Sequence, residues 1–132
     1  MFTLLVVEDE LARRDEFKKR LSKHDIVFVD NPLGAIKLIR TMQYDFIFLD
    51  RDLADTDLTG EDVCACFFRS KNVHTPVFIH SVNESGAKLM ESVLSNLGVI
   101  VSRISYCHPD FWRCVEVFLG ESLNGNRPES DD

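Results

Sequence analysis

Five short apolar runs recur along the chain, and each is followed by a stretch with helical signals. "TLLVV" at Thr3–Val7, "IVFV" at Ile26–Val29, "FIFL" at Phe46–Leu49, "VFIH" at Val77–His80 and "VIVSRI" at Val99–Ile104 are of strand length and rich in β-branched or aromatic residues. The intervening segments read as helices. The first covers Leu11–Ser22. The second opens at Asn31-Pro32, with proline in its first turn and an apolar stripe at Leu33, Ile36, Ile39 and Met42. The third runs from Gly60 to about Ser70. The fourth runs from Asn83–Gly86 to about Leu97, where Gly98 stops it, and the last from Pro109 to about Leu119. Strands that are apolar throughout must be covered on both faces, which is the condition of a parallel sheet between helices. The expected fold is therefore α/β: a three-layer, doubly wound, five-stranded parallel sheet of order 2-1-3-4-5. A chain of 132 residues suits one domain, here residues 1–120. Residues 121–132, polar with glycine and proline, read as a disordered tail.

Two of the runs end in clustered acids. Glu8, Asp9 and Glu10 close the first, and "DRDLADTD" closes the third. Like charges that crowd a strand end repel unless a cation sits among them. In a doubly wound sheet ligands bind outside the carboxyl ends of the strands, and in this order strands one and three are neighbours. Together the two clusters point to a hard divalent ion, Mg²⁺ or Mn²⁺. Asp9 and Asp50 would bind it directly, Glu8 directly or through water, and Asp52 through its backbone carbonyl. The competing reading is an acidic loop and a strand-end charge cluster, both simply solvated.

The fourth run leads into "HSVNESGA". His80, Ser81 and Asn83 fall at the same edge, where a hydroxyl, an amide and a helix start can hold phosphate oxygens, and Gly86 allows close approach. Helix capping alone would also explain Ser81 and Asn83. A core histidine bonded to a backbone carbonyl would explain His80.

The net charge of −7 disfavours non-specific binding to nucleic acid and to anionic membranes. No stretch is long and apolar enough to span a bilayer, and no cleavable leader is evident, so the expected location is cytoplasmic. Cys64, Cys66, Cys107 and Cys114 then read as reduced, buried small hydrophobes. Cys107 and His108 are adjacent and would point to opposite faces of a strand. Arg13 and Arg14 read as surface groups near the pocket edge, and Lys18, Lys19 and Arg20 as a solvated face. Phe111, Trp112 and Phe118 suit core packing or a partner surface.

These residues resemble the receiver domains of two-component response regulators over about residues 2–120. "LLVVEDE" matches the acidic, Mg²⁺-binding strand end, and "FIFLDRD" carries the aspartate that accepts a phosphoryl group, here Asp50. By the same resemblance Asp52 lends its carbonyl to the metal and Ser81 contacts the phosphate. Receivers carry a lysine before a proline after strand five, whereas here His108 precedes Pro109. His108 is thus the available replacement. The acidic loop after Asp50 is also longer and lacks the expected proline. A narrower resemblance covers these departures. "LDRDL", Gly60 and "HSVNESGA" are similar to the cyclic-phosphate processing receivers, whose motifs are L-D-x-D-L, often with histidine at x, and H-S-x-N-x-x-G-A. Here x is Arg51, and His80, Ser81, Asn83, Gly86 and Ala87 match throughout.

Three functions are compatible with this site. As an enzyme, the metal would activate water or hold a phosphodiester. Asp50, His80 and Asp52 would be the catalytic groups, with Ser81, Asn83, Gly86 and Arg51 around the phosphate. The substrate would be a cyclic nucleotide or an RNA end bearing a cyclic phosphate. As a signalling module, Asp50 would be phosphorylated and a partner protein would read the change. As a scaffold, only the fold would be used.

Overall fold

A computed structural model describes residues 1–53 and 57–120 of the chain. Residues 54–56 of the acidic loop and the expected tail at 121–132 lie outside the described residues. Ten elements alternate: β1 Thr3–Val7, α1 Leu11–Arg20, β2 Asp25–Val29, α2 Pro32–Thr41, β3 Phe46–Leu49, α3 Gly60–Ala65, β4 Val77–Ile79, α4 Glu84–Asn96, β5 Val101–Arg103 and α5 Phe111–Phe118. All strand pairs are parallel, in the order β2-β1-β3-β4-β5. Among the described residues no helix is long and apolar enough to cross a membrane.

The sheet separates two apolar cores. Leu4, Val6, Phe48 and Phe78 face α1 and α5, where Phe17, Leu21, Phe111, Val115 and Leu119 complete one core. Leu5, Val7, Ile47, Leu49, Val77 and Ile79 face α2, α3 and α4 and form the other. Alternate residues of one strand thus enter opposite cores, which is why the strand sequences are apolar without interruption.

Helix ends follow local chemistry. Asn31 Oδ1 accepts a hydrogen bond from Gly34 N at 2.7 Å, with Pro32 at the first helical position of α2. Asp62 Oδ2 reaches back to Thr59 N at 2.8 Å before α3. Beyond α4, Gly98 takes φ +84°, the left-handed turn that ends it.

Several sequence expectations need correction. On α2 the buried residues are Pro32, Ala35 and Ile39, while Leu33 and Met42 are exposed. A strict three-residue spacing drifts by about 60° per step on a helix of 3.6 residues per turn, so Leu33 and Met42 cannot share one face. The α3 helix ends at Ala65 rather than near Ser70. The chain tightens there into bonds from Phe67 N to Cys64 O and Phe68 N to Ala65 O, and Arg69 turns to φ +60°. The β5 strand is shorter than expected at both ends. Cys64 and Cys66 are buried, but Cys107 is exposed and Cys114 half-buried.

The connections on the far side of the sheet from the strand ends are tied by a residue the sequence did not single out. Asn72 is fully buried. Its Nδ2 donates to Ile39 O and Met42 O, both at 2.7 Å, and its Oδ1 accepts from Tyr44 N and Thr75 Oγ1. One amide thereby satisfies the carbonyl end of α2 and the start of β3.

Candidate functional site

The register of the sheet assembles the site. Val7 pairs with Leu49, and Leu49 with Ile79. The next residue on each strand is Glu8, Asp50 and His80. Their backbone N–H groups continue the ladder, to Val29 O at 3.0 Å, Val7 O at 3.1 Å and Leu49 O at 2.9 Å. They therefore stand in one row, and by alternation their side chains share the face of Val6, Phe48 and Phe78, toward α1 and α5.

All three are buried, at 0%, 5% and 0% exposure. His80 Nε2 lies 2.8 Å from Glu8 Oε1, and Glu8 Oε2 accepts from Glu10 N at 2.9 Å. Asp50 Oδ1 accepts from Arg51 N at 2.7 Å. The imidazole meets Phe17 edge-on at 5.3 Å, with Phe111 at 6.4 Å, and its Nδ1 is buried without a partner among the described residues. An ionised carboxylate only accepts, so Nε2 carries a proton and donates to Glu8. His80 is thus a core histidine, as one reading expected, but its partner is a carboxylate and not a backbone carbonyl.

The electrostatics are uneven. Burial drives the Glu8 carboxyl up, but the His80 hydrogen bond and charge, the Glu10 amide and Arg13 outweigh it and hold the group below its ordinary value. Asp50 lies above its ordinary value. Burial dominates, Glu8 adds to it, and His80, the Arg51 amide and Arg13 only partly offset it. Asp9 is half-buried and also raised, by burial and by its neighbour Glu8.

Glu8, Asp50 and His80 each offer a donor atom, and these atoms lie within 4.8 Å of one another. The donor chemistry fits a small divalent ion: Mg²⁺ uses one or two carboxylates and fills its remaining positions with water or substrate oxygens. Asp9 and Asp52 do not belong to this close group. Arg13, expected at the surface, does approach it. Its Nη1 is 3.7 Å from Asp50 Oδ2 and 3.9 Å from Glu8 Oε1.

The remaining motif residues form a second group, on the α3–α4 side. Arg51 Nε and Nη2 grip Glu61 Oε1 and Oε2 at 2.9 and 3.2 Å, and its Nη1 donates to Asp52 Oδ1 at 2.9 Å. Asn83 Nδ2 lies 3.3 Å from Asp52 Oδ2, while Asn83 Oδ1 caps α4 by accepting from Gly86 N at 3.0 Å. Ser81 Oγ accepts from Asn83 N at 3.0 Å. The glycines make room for this arrangement. A Cβ on Gly86 would overlap Arg51 Cδ, and one on Gly60 would lie 2.8 Å from Arg51 Cα and 2.7 Å from Met90 Sδ. Parity explains the division: Arg51 and Ser81 each follow a residue of the buried row and so turn to the other face.

His108 is exposed, and its Nδ1 accepts from Asp110 N at 3.0 Å at the start of α5. Cys107 beside it donates its N–H to Ser105 Oγ.

The sequence model of the cyclic-phosphate processing receiver domain matches residues 3–96. No curated protein matches the chain significantly. Solved structures show the same fold. The receiver domain of the sensor histidine kinase PA1611 from Pseudomonas aeruginosa PAO1, with magnesium in its active-site cleft, superposes with a TM-score of 0.69. It is 16% identical, over 90% of this chain and 98% of that one. The Mn²⁺-bound response regulator Rcp1 gives 0.71 at 18% identity, over 93% and 97%. The non-phosphorylated HemR receiver domain from Leptospira biflexa gives 0.71 at 22% identity, over 96% and 97%.

Proposed function

The chain belongs to the cyclic-phosphate processing receiver family, and from that premise we propose that it binds a cyclic phosphate, of a nucleotide or an RNA end, and opens it with the help of Mg²⁺ or Mn²⁺. The observation that carries this reading is the buried row Glu8–Asp50–His80 at the ends of β1, β3 and β4, with Ser81 and the N-cap Asn83 between His80 and α4. Glu8 and Asp50 hold the metal, with Asp9 approaching from the rim and the Asp52 carbonyl as a further oxygen. When bound, that ion polarises a phosphate oxygen or lowers the pKa of a water.

The chain's own groups have separate tasks. His80 donates from Nε2 to Glu8 and fixes the orientation of that carboxylate, which makes it a positioning residue. Ser81 accepts from Asn83 N and retains its own O–H to donate to a phosphate oxygen. The amides at the start of α4 add partial positive charge for the anion. Arg51 is committed to Glu61 and Asp52, so it acts on the ligand through the placement of Asp52 and α4.

A second reading has its own observation. Asp50 Oδ2 faces a guanidinium and Oδ1 a backbone amide, the surroundings a phosphoaspartate needs. In this reading Asp50 accepts a phosphoryl group and a partner protein reads the change.

One reaction set separates the two. The protein with Mg²⁺ or Mn²⁺ is mixed with cyclic nucleotides and 2′,3′-cyclic-phosphate RNA ends, with acetyl phosphate in parallel, and followed by mass spectrometry. Ring opening lost in Asp50→Asn and lowered in His80→Ala supports the enzyme. Intact cyclic ligands, with one phosphate added to the protein and absent from Asp50→Asn, support the receiver.

A further inference from the structure

Arg13 has no task in the cyclic-phosphate reading, although it stands at the same carboxylates. It rises from the first turn of α1, and its side chain is 16% exposed. Its Nη1 stands between Asp50 Oδ2 and Glu8 Oε1, and its Nε is 3.5 Å from Glu10 Oε1. The guanidinium carbon lies 4.9 Å from the centre of the Tyr106 ring, a cation–π contact that holds the group at the pocket wall. Its separations from the three carboxylates all exceed the roughly 2.7–2.9 Å of a charge-assisted hydrogen bond. The donors are aimed into the pocket by charge and by the aromatic ring, yet no carboxylate has closed on them.

We infer that Arg13 is an exchangeable counter-ion: it neutralises Glu8 and Asp50 while no metal is bound, and it binds the phosphate oxygens of the ligand once a divalent ion takes over that task. The inference rests on the metal-assisted phosphate reading above. Two buried carboxylates need positive charge, and a guanidinium about 4 Å away supplies it. A divalent ion placed between the same carboxylates cancels that attraction and repels the guanidinium. An anionic phosphate seated on the ion then offers it a new partner, which a planar fork of N–H groups can hold through two oxygens. Tyr106 keeps the side chain at the wall during the exchange. Among the described residues Arg13 is the cation that ion-pairs with Asp50, and His108 is engaged elsewhere.

The consequence is a pair of effects of opposite sign. Removing the guanidinium lifts a competitor of the metal but takes away a partner of the phosphate. Mn²⁺ binding, followed by electron paramagnetic resonance, should tighten roughly three- to tenfold in Arg13→Gln. Inorganic phosphate binding to the Mg²⁺-saturated protein, followed by calorimetry, should weaken about tenfold or more. Arg13→Lys keeps the charge without the fork. It should leave Mn²⁺ affinity near wild type and recover phosphate binding only in part. Thermal unfolding of each variant establishes that it is folded.

An Arg13 that only supports the fold would weaken both affinities, and that result overturns the inference. So does an Arg13→Gln protein whose Mn²⁺ or phosphate affinity is unchanged, and so does a wild type that binds Mn²⁺ but no millimolar phosphate. A wild type that binds no Mn²⁺ overturns the metal reading itself and the inference with it, and it is recognised before any variant is measured.

Discussion

Asp50 carries a charge in a place that resists it. Its carboxyl is nearly buried, it neighbours Glu8, and burial holds it above the ordinary carboxylate value. A raised acid binds its proton more tightly in the folded chain than in the unfolded one. Stability therefore falls as pH rises from the ordinary aspartate value through the raised one, and the penalty is complete above that window. Asp50→Asn keeps the shape and the acceptor for Arg51 N but removes the charge. In metal-free protein it should stabilise the fold at pH 7 by about 1 kcal/mol in urea denaturation, and the gain should vanish below about pH 3. A variant less stable than wild type at pH 7 would show that Arg13 more than offsets the burial. The thiols follow the same physics. Burial pushes Cys66 up to about 11 and Cys64 higher still, the latter with Cys66 and Glu61 adding to it. Exposed Cys107 should react with a thiol reagent in the folded protein, while Cys64 and Cys66 should wait for denaturant.

At the scale of elements, one side chain ties the residues just after β3 to the starts of α3 and α4. Arg51 lies across Gly86 and against Gly60, bound to Glu61 of α3 and to Asp52. The two glycines fail differently when replaced. At Gly86 the obstacle is the middle of a side chain, which can shift if it loosens its grip on Glu61. At Gly60 it is the Arg51 backbone and the Met90 sulfur, which cannot yield as easily. Gly60→Ala should cost about 2–3 kcal/mol and Gly86→Ala about 1 kcal/mol in urea denaturation. The reverse order would show that the Arg51 side chain is held more rigidly than the backbone beneath it. "LDRDL", Gly60 and "HSVNESGA" are legible as motifs in the sequence. That they form a single packing unit depends on α3 and α4 lying side by side.

Across the whole molecule, Phe17 connects fold and site. It is fully buried on α1, 5.4 Å from Phe48, 6.3 Å from Phe111 and 5.0 Å from Trp112 by ring centres, and it closes over His80. Phe17→Ala should cost about 3–5 kcal/mol in equilibrium unfolding. Phe17→Leu should cost less and keep the fold, so that a change in Mn²⁺ affinity in that variant would report the loosened wall behind His80. The periodicity of the sequence determined the order and type of the elements and the parallel sheet, because runs apolar on both faces leave no other covering. It also determined that acids collect at the ends of β1 and β3, because a ligand edge lies wherever parallel strands end together. Only the tertiary structure decided which of those acids meet. Register and alternation placed Glu8, Asp50 and His80 on one face and sent Arg51 and Ser81 to the other, and a shift of one residue would have exchanged the two sets. Arg13, which the sequence placed only near the pocket edge, reached Glu8 and Asp50 because α1 packs its first turn over that row.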